Sequence, residues 1–179
     1  MRRIIVSQFL SLNGVMEAPE KWNTAYLNDA ELVDEILADF AGCDTILLGR
    51  TSYDFFAARW PQRTGAMADY FNSLSKYVVS TSLQKAEWNN SVIVNSNVAE
   101  EIKKLKDKPG KDIIVFGSYQ LCQTLSNHHL IDEYKLYIYP LTLDSGKRLF
   151  DETTTSQTLQ LISCKSFSTG VVSLTYQPA

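Results

Sequence analysis

Cysteine and histidine are scarce in this 179-residue chain: three cysteines (Cys43, Cys122, Cys164) and two adjacent histidines, His128 and His129. No C-x-x-C pair occurs, the thiol count is odd and the thiols lie far apart. The ligand spacing of a zinc site and the pairing of a disulfide framework are therefore both missing. Such usage suits a reducing compartment. Long apolar runs are missing too, since none approaches the roughly 18 residues that a membrane span needs. Arg2 and Arg3 do precede an apolar Ile4–Val6. However, Ser7, Gln8, Ser11 and Asn13 interrupt that stretch and no small-x-small cleavage pattern follows, so it does not read as a signal peptide. Charge of one sign is also lacking: 17 basic and 20 acidic residues leave a net −3. That is no basis for binding nucleic acid by phosphate neutralisation. These absences predict a cytoplasmic protein without a metal, a membrane anchor or a nucleic-acid partner.

What is present is an ordinary globular composition, 45% hydrophobic and 21% charged. A chain of this size buries about 70% of its unfolded surface, enough for a full core. No internal repeat, low-complexity tract or Pro/Ser-rich linker divides it, which predicts one domain over 1–179. Periodicity predicts strands at 3–10, 44–48, 76–80, 91–94, 112–116 and 134–139, then about 157–167 and 170–177 joined as a hairpin at Ser168-Thr169-Gly170. Helical spacing appears at 29–40 (Leu32, Val33, Ile36, Leu37, Phe40) and at 52–58, with Thr51 as its cap and Asp54 completing a capping box. It appears again after Asn97 (Val98, Ile102, Leu105, stopped by Lys108-Pro109-Gly110) and at Leu121, Cys122 and Leu125. Alternating strands and helices followed by a hairpin predict an α/β fold: a mainly parallel central sheet flanked by helices, with an antiparallel C-terminal edge.

In open α/β sheets ligands bind outside the carboxyl ends of the strands. Three such ends combine glycine with hydroxyls or a cation: Gly49-Arg50-Thr51-Ser52, Ser80-Thr81-Ser82 and Gly117-Ser118-Tyr119. The first and third run straight into helices. There a glycine lets a phosphate approach the backbone, and free N–H groups favour negative charge. Arg50 adds a bidentate fork. Two helix N-termini, an arginine and a hydroxyl cluster would suit a diphosphate with an extra phosphate, which is the shape of NADPH. Glycine and serine also serve such junctions simply as turn and cap residues, and on composition alone the two readings stand about even. His128-His129 reads as a solvated helix end, and the lysines between 103 and 111 as an exposed face paired with acids. Cys43 reads as a small buried hydrophobe. No G-x-S-x-G nucleophile elbow occurs.

The residues also resemble a known family. Ser11-Leu12-Asn13-Gly14, Leu48-Gly49-Arg50-Thr51-Ser52-Tyr53 with Trp60-Pro61, and Tyr77-Val78-Val79-Ser80 occur in that order. Phe116-Gly117-Ser118, Leu130-Ile131-Asp132-Glu133, Pro140 and Gly146-Lys147-Arg148-Leu149-Phe150 follow them. The chain thereby resembles the dihydrofolate-reductase-like family, in the branch of the C-terminal reductase domain of the bifunctional riboflavin-biosynthesis deaminase/reductase. The resemblance implies NADPH as hydride donor. Gly49, Arg50, Thr51 and Ser52 would hold the adenosine-side phosphates, with Arg50 near the 2′-phosphate. Ser80 and Thr81 would border the adenine ribose, and Gly117, Ser118, Tyr119, Gln120 and Leu121 would cradle the diphosphate. The segment Ser7 to Gly14, with Ser11, Asn13 and Gly14 as the named candidates, would face nicotinamide and substrate. Family members are often homodimers, and the tyrosine-rich strand at 134–139 would supply that surface.

The chain departs from the family pattern in three places. Asn13 stands where an acid is usual, Thr81 where an arginine or similar base is usual, and Asp144-Ser145 where a glycine precedes the Gly-Lys-Arg-Leu-Phe run. The amide of Asn13 can hydrogen-bond a substrate but cannot act as general acid or base near neutral pH. Asp34 and Glu35 lie near the place of the first-helix acid of true dihydrofolate reductases, but Val33, Ile36 and Leu37 claim the buried face there. The implied activity is NADPH-dependent reduction of a small heterocyclic substrate, pterin- or pyrimidine-like. The ribosylamino-uracil of the riboflavin pathway is one such substrate. The alternative is a non-catalytic nucleotide- or pterin-binding protein on the same fold.

Overall fold

The computed structural model describes residues 1–179. Eight strands form one sheet: β1 (Ile4–Ser11), β2 (Cys43–Gly49), β3 (Ser75–Val79), β4 (Ser91–Val94), β5 (Asp112–Phe116), β6 (Glu133–Tyr139), β7 (Leu159–Ser166) and β8 (Val172–Pro178). Their spatial order is β4-β3-β2-β5-β1-β6-β8-β7. The first six in that order pair in parallel, and β6-β8 and β8-β7 are antiparallel. Five helices complete the fold: α1 (Ala30–Ala41), α2 (Arg50–Ala57), α3 (Ala66–Ser73), α4 (Val98–Asp107) and α5 (Tyr119–Asn127).

Apolar runs such as Ile4-Ile5-Val6 and Ile113-Ile114-Val115 follow from burial on both sides of the sheet, because successive side chains point to opposite faces. Ile5, Ile46, Leu48, Ile114 and Tyr137 pack on one face with Leu32, Ile36 and Phe40 of α1, Tyr53 and Phe56 of α2, and Phe71 of α3. Ile4, Val6, Leu47, Ile113, Val115 and Leu136 pack on the other with Ile102 and Leu105 of α4 and Leu121 and Leu125 of α5. The architecture is thus a mainly parallel sheet with helices on both faces and an antiparallel C-terminal hairpin.

Several local expectations change. α2 starts at Arg50 with Gly49 at its cap position, so Thr51 lies inside the helix and Asp54 pairs with Arg50 instead of closing a capping box. α3 has no counterpart in the sequence reading. It is eight residues long and buries only Ala68 and Phe71, too little to mark a periodic stripe. Asn97 occupies the cap position of α4 through a left-handed backbone (φ 48°) and not through a side-chain bond. β6 lies inside the sheet between β1 and β8, with Tyr134, Tyr137 and Tyr139 buried. It therefore presents no surface to a second copy, and the free edge on that side is β7.

Candidate functional site

α2 follows β2 onto one face of the sheet, and α5 follows β5 onto the other. β2 and β5 are neighbours, so the two helix starts meet at the carboxyl end of the sheet, the place where open α/β sheets form a ligand crevice. The Gly49 N–H donates to Ser118 Oγ at 2.7 Å. A Cβ on Gly117 would come within 3.0 Å of Ser52 Oγ, and one on Gly49 within 3.5 Å of Ser118. Neither helix start carries a side-chain cap. The first-turn N–H groups of Thr51 and Ser52, and of Tyr119, Gln120 and Leu121, therefore lack the side-chain partner that usually satisfies one of them. Gly117 (φ 77°) and Ser118 (φ 68°) are both left-handed, which turns the chain from β5 into α5 within two residues. The junctions expected to hold an anionic group thus meet in space.

Arg50, the first residue of α2, is partly exposed, with Nε on Asp54 Oδ2 at 2.6 Å. Ser80 is buried at the end of β3, and its hydroxyl accepts from the N–H groups of Ser82 (3.3 Å) and Leu83 (3.0 Å). That hydroxyl closes the turn, while the neighbouring Thr81 is exposed.

At the end of β1, Asn13 ties two segments together. Its Oδ1 accepts from Ser11 Oγ (2.8 Å) and from the Leu143 N–H (3.1 Å), and its Nδ2 donates to the Leu143 carbonyl at 2.8 Å. Ser11 Oγ also accepts from the Val15 N–H at 2.9 Å, and Gly14 (φ 83°) makes the turn between them. The Asn13 amide is therefore engaged within the chain, not presented to a ligand. Nearby, Phe9 meets Phe116 edge-on at 5.1 Å, and Trp22 and Tyr26 stand against Tyr139 at 5.3 and 5.2 Å. The segment between β1 and α1 thus closes an aromatic wall over the ends of β1 and β6. The Tyr139 hydroxyl is buried near Asn23 with no hydrogen bond of ordinary geometry, and burial pushes its pKa up to about 12.

Two polar groups beside this region escape a reading by sequence pattern. Asp39 on α1 is buried and accepts from Ser7 Oγ (2.9 Å) and the Tyr137 hydroxyl (2.8 Å), and it pairs with Lys135 Nζ at 2.6 Å. Burial outweighs these partners and raises the Asp39 pKa. Glu35 joins Lys135 at 2.9 Å and Lys165 at 3.0 Å. Asp34 is exposed, so the inward-facing acid of the first helix is Asp39. The second group is Gln8 on β1, whose amide bonds the Gly117 backbone in both directions. The only sequence signal for either was a polar residue in an apolar setting. A groove of about 750 Å³ lies between α2, α3 and residues 83–89, with Asp54, the partner of Arg50, on its wall. Polar groups on its wall are already paired, Asn72 with Trp88 Nε1 and the Tyr53 hydroxyl with the Trp88 N–H.

Comparison with known proteins agrees with this layout. The sequence matches the RibD C-terminal domain over residues 2–173. It is 33% identical to the uncharacterized protein YyaP of Bacillus subtilis, over 98% of this chain and 94% of that protein. A putative riboflavin biosynthesis protein from Shewanella sp. PV-4 shares the fold with a TM-score of 0.77, at 20% identity and 99% coverage of both chains. Dihydrofolate reductase from Enterococcus faecalis, solved as a complex with NADP(H), aligns with a TM-score of 0.62 at 14% identity, covering 98% of this chain and 96% of that one.

Proposed function

The chain belongs to the RibD C-terminal domain family, of the reductase type, and on that premise we propose an NADPH-dependent reductase acting on a small, flat heterocycle of the pterin or pyrimidine kind. The observation that carries the reading is the contact of two uncapped helix starts across the β2–β5 crevice. Their N–H groups and helix dipoles suit the diphosphate, and glycine at 49 and 117 lets the two starts approach this closely, since a Cβ there would meet Ser118 or Ser52. Arg50 suits the 2′-phosphate: its Nε is held by Asp54, which leaves the outer nitrogens of the guanidinium to form a fork. When bound, NADPH supplies the hydride. The chain's own task is to hold the ring at the aromatic wall of Phe9 and Phe116, orient the substrate and exclude water. Asp39 is engaged by Ser7, Tyr137 and Lys135, so the accompanying proton comes from solvent.

The test is calorimetric titration with NADPH and NADH at one salt concentration. Losing a charge-assisted contact costs about 1.5–3 kcal/mol, so Arg50→Ala should weaken NADPH roughly 10- to 100-fold and leave NADH unchanged. Equal weakening of both would refute the 2′-phosphate assignment, and binding of neither by the wild type would refute the reductase reading. The engaged amide of Asn13 favours one rival, a binding protein without turnover. That rival predicts NADPH binding with no NADPH oxidation against pterins, pyrimidines and quinones.

The reading includes a second copy of the chain as partner, along β7. Leu161 and Ile162 are half exposed there, and the run 159–164 carries no charge. Lys165 is neutralised within its own chain by Glu31 and Glu35. Two such edges can therefore meet without like-charge repulsion.

A further inference from the structure

We infer that Gln8 is a positioning residue for the phosphate-binding turn, setting Gly117 and Ser118 in the conformation that aims the start of α5 at the crevice. This rests on the NADPH reading above. The main-chain ladder between β1 and β5 ends at the Ser7–Phe116 pair. One residue further on, the Gln8 side chain takes the place of a strand. Its Oε1 accepts from the Gly117 N–H at 3.2 Å, and its Nε2 donates to the Gly117 carbonyl at 3.0 Å and the Val115 carbonyl at 3.3 Å. A primary carboxamide carries the same donor and acceptor as a peptide, so it extends the ladder by one rung around a residue that no strand can reach.

That residue needs holding. Gly117 and Ser118 are consecutive left-handed residues, a conformation that is unfavourable for serine and is kept only where the surroundings impose it. The Ser118 hydroxyl, fixed by this turn, then receives the Gly49 N–H and locks the two helix starts together. Gln8 is buried, and its amide also lies 3.8 Å from the Cys122 sulfur at the foot of α5, so it makes its contacts inside the protein. Leucine at this position would have similar bulk without a donor or acceptor, and glutamate would keep only the acceptor.

The experiment compares wild type, Gln8→Leu and Gln8→Glu with two probes: NADPH, and adenosine 2′-phosphate, which carries the phosphate assigned to Arg50 but no diphosphate. Gln8→Leu should weaken NADPH at least about tenfold, the effect of one buried hydrogen-bonding group, and leave adenosine 2′-phosphate within about twofold of wild type. Gln8→Glu should lose at least as much, because its second carboxylate oxygen would face the Gly117 and Val115 carbonyls with no proton to donate. Amide hydrogen exchange over 117–122 should quicken in Gln8→Leu, while the α4 amides keep their protection. Unchanged NADPH affinity with unchanged exchange would overturn the inference. Equal loss of both probes, or exchange quickened throughout the molecule, would overturn it as well, since Gln8 would then serve the fold in general. If the wild type bound neither probe, the reductase reading would fail separately, and the exchange data would still decide whether Gln8 holds the turn. Should Gln8→Leu not fold, Gln8→Glu carries both measurements.

Discussion

Lys76 Nζ lies inside the protein, donating to the carbonyls of Asn72 (3.0 Å) and Leu74 (2.9 Å) and facing the Trp88 ring at 4.4 Å. It serves the C-terminal end of α3 in place of water. Burial lowers its pKa from 10.5 to about 8. Between those values the unfolded chain holds a proton that the folded chain has released, so this residue makes stability rise with pH over that window. The stability difference between wild type and Lys76→Met should therefore shift in favour of wild type from pH 8 to pH 10.5, measured by urea unfolding at each pH. A difference that stays flat would show that the ammonium is not destabilised by burial. Individual residues are legible in sequence only when their type announces the role. Gly49 and Gly117 announced strand-to-helix junctions, because glycine at a strand end marks a change of chain direction. Gln8, Asn13 and Lys76 announced no role, because the partners that define them lie on distant elements.

At the scale of elements, α1 is fastened to the sheet by more than its apolar stripe. Asp39, Glu35, Lys135, Lys165, Ser7 and Tyr137 form one network joining the helix to β1, β6 and β7. Burial works to lower the Lys135 pKa, but its two carboxylates prevail and raise it, so the cation persists inside the protein. Breaking a buried pair leaves an under-compensated charge and costs about 3–5 kcal/mol. Asp39→Asn should fall near the lower end of that range, roughly 3 kcal/mol by urea unfolding, since Glu35 still neutralises Lys135. A loss under about 1 kcal/mol would mean that Lys135 swings out to water and the network contributes little. Elements with strong periodicity, such as α1, α4 and the strands of the parallel core, were legible from spacing alone. α3 was not, because two buried residues in eight make no stripe. The start of α2 moved to Arg50 because the β2–α2 junction is held from outside by Ser118, so no local capping box is needed.

Across the whole molecule the two sheet edges differ. β4 is four residues long, whereas β7 runs for eight with Leu161 and Ile162 half exposed and a bulge between Leu161 and Ser163. Lys165, the one charge on this edge, is neutralised by Glu31 and Glu35, so the half-exposed Leu161 and Ile162 remain the place for another strand to add despite the bulge. Light scattering should find the wild type as a dimer and the double variant Leu161→Lys, Ile162→Lys as a monomer with an unchanged circular dichroism spectrum. A monomeric wild type at micromolar concentration would refute the β7 interface. The alternation of strands and helices, the terminal hairpin and the position of each glycine-bearing junction are legible in the order of residues alone. Hydrophobic period and turn chemistry are local properties that a few neighbouring residues fix. Which of those junctions meet depends on the strand order of the folded sheet. The sheet inserts β5 between β1 and β2, and α2 and α5 leave on opposite faces. Gly49 and Ser118, 69 residues apart in the chain, become hydrogen-bonded neighbours for that reason. Strand order is set by packing across the whole core, and no local period encodes it.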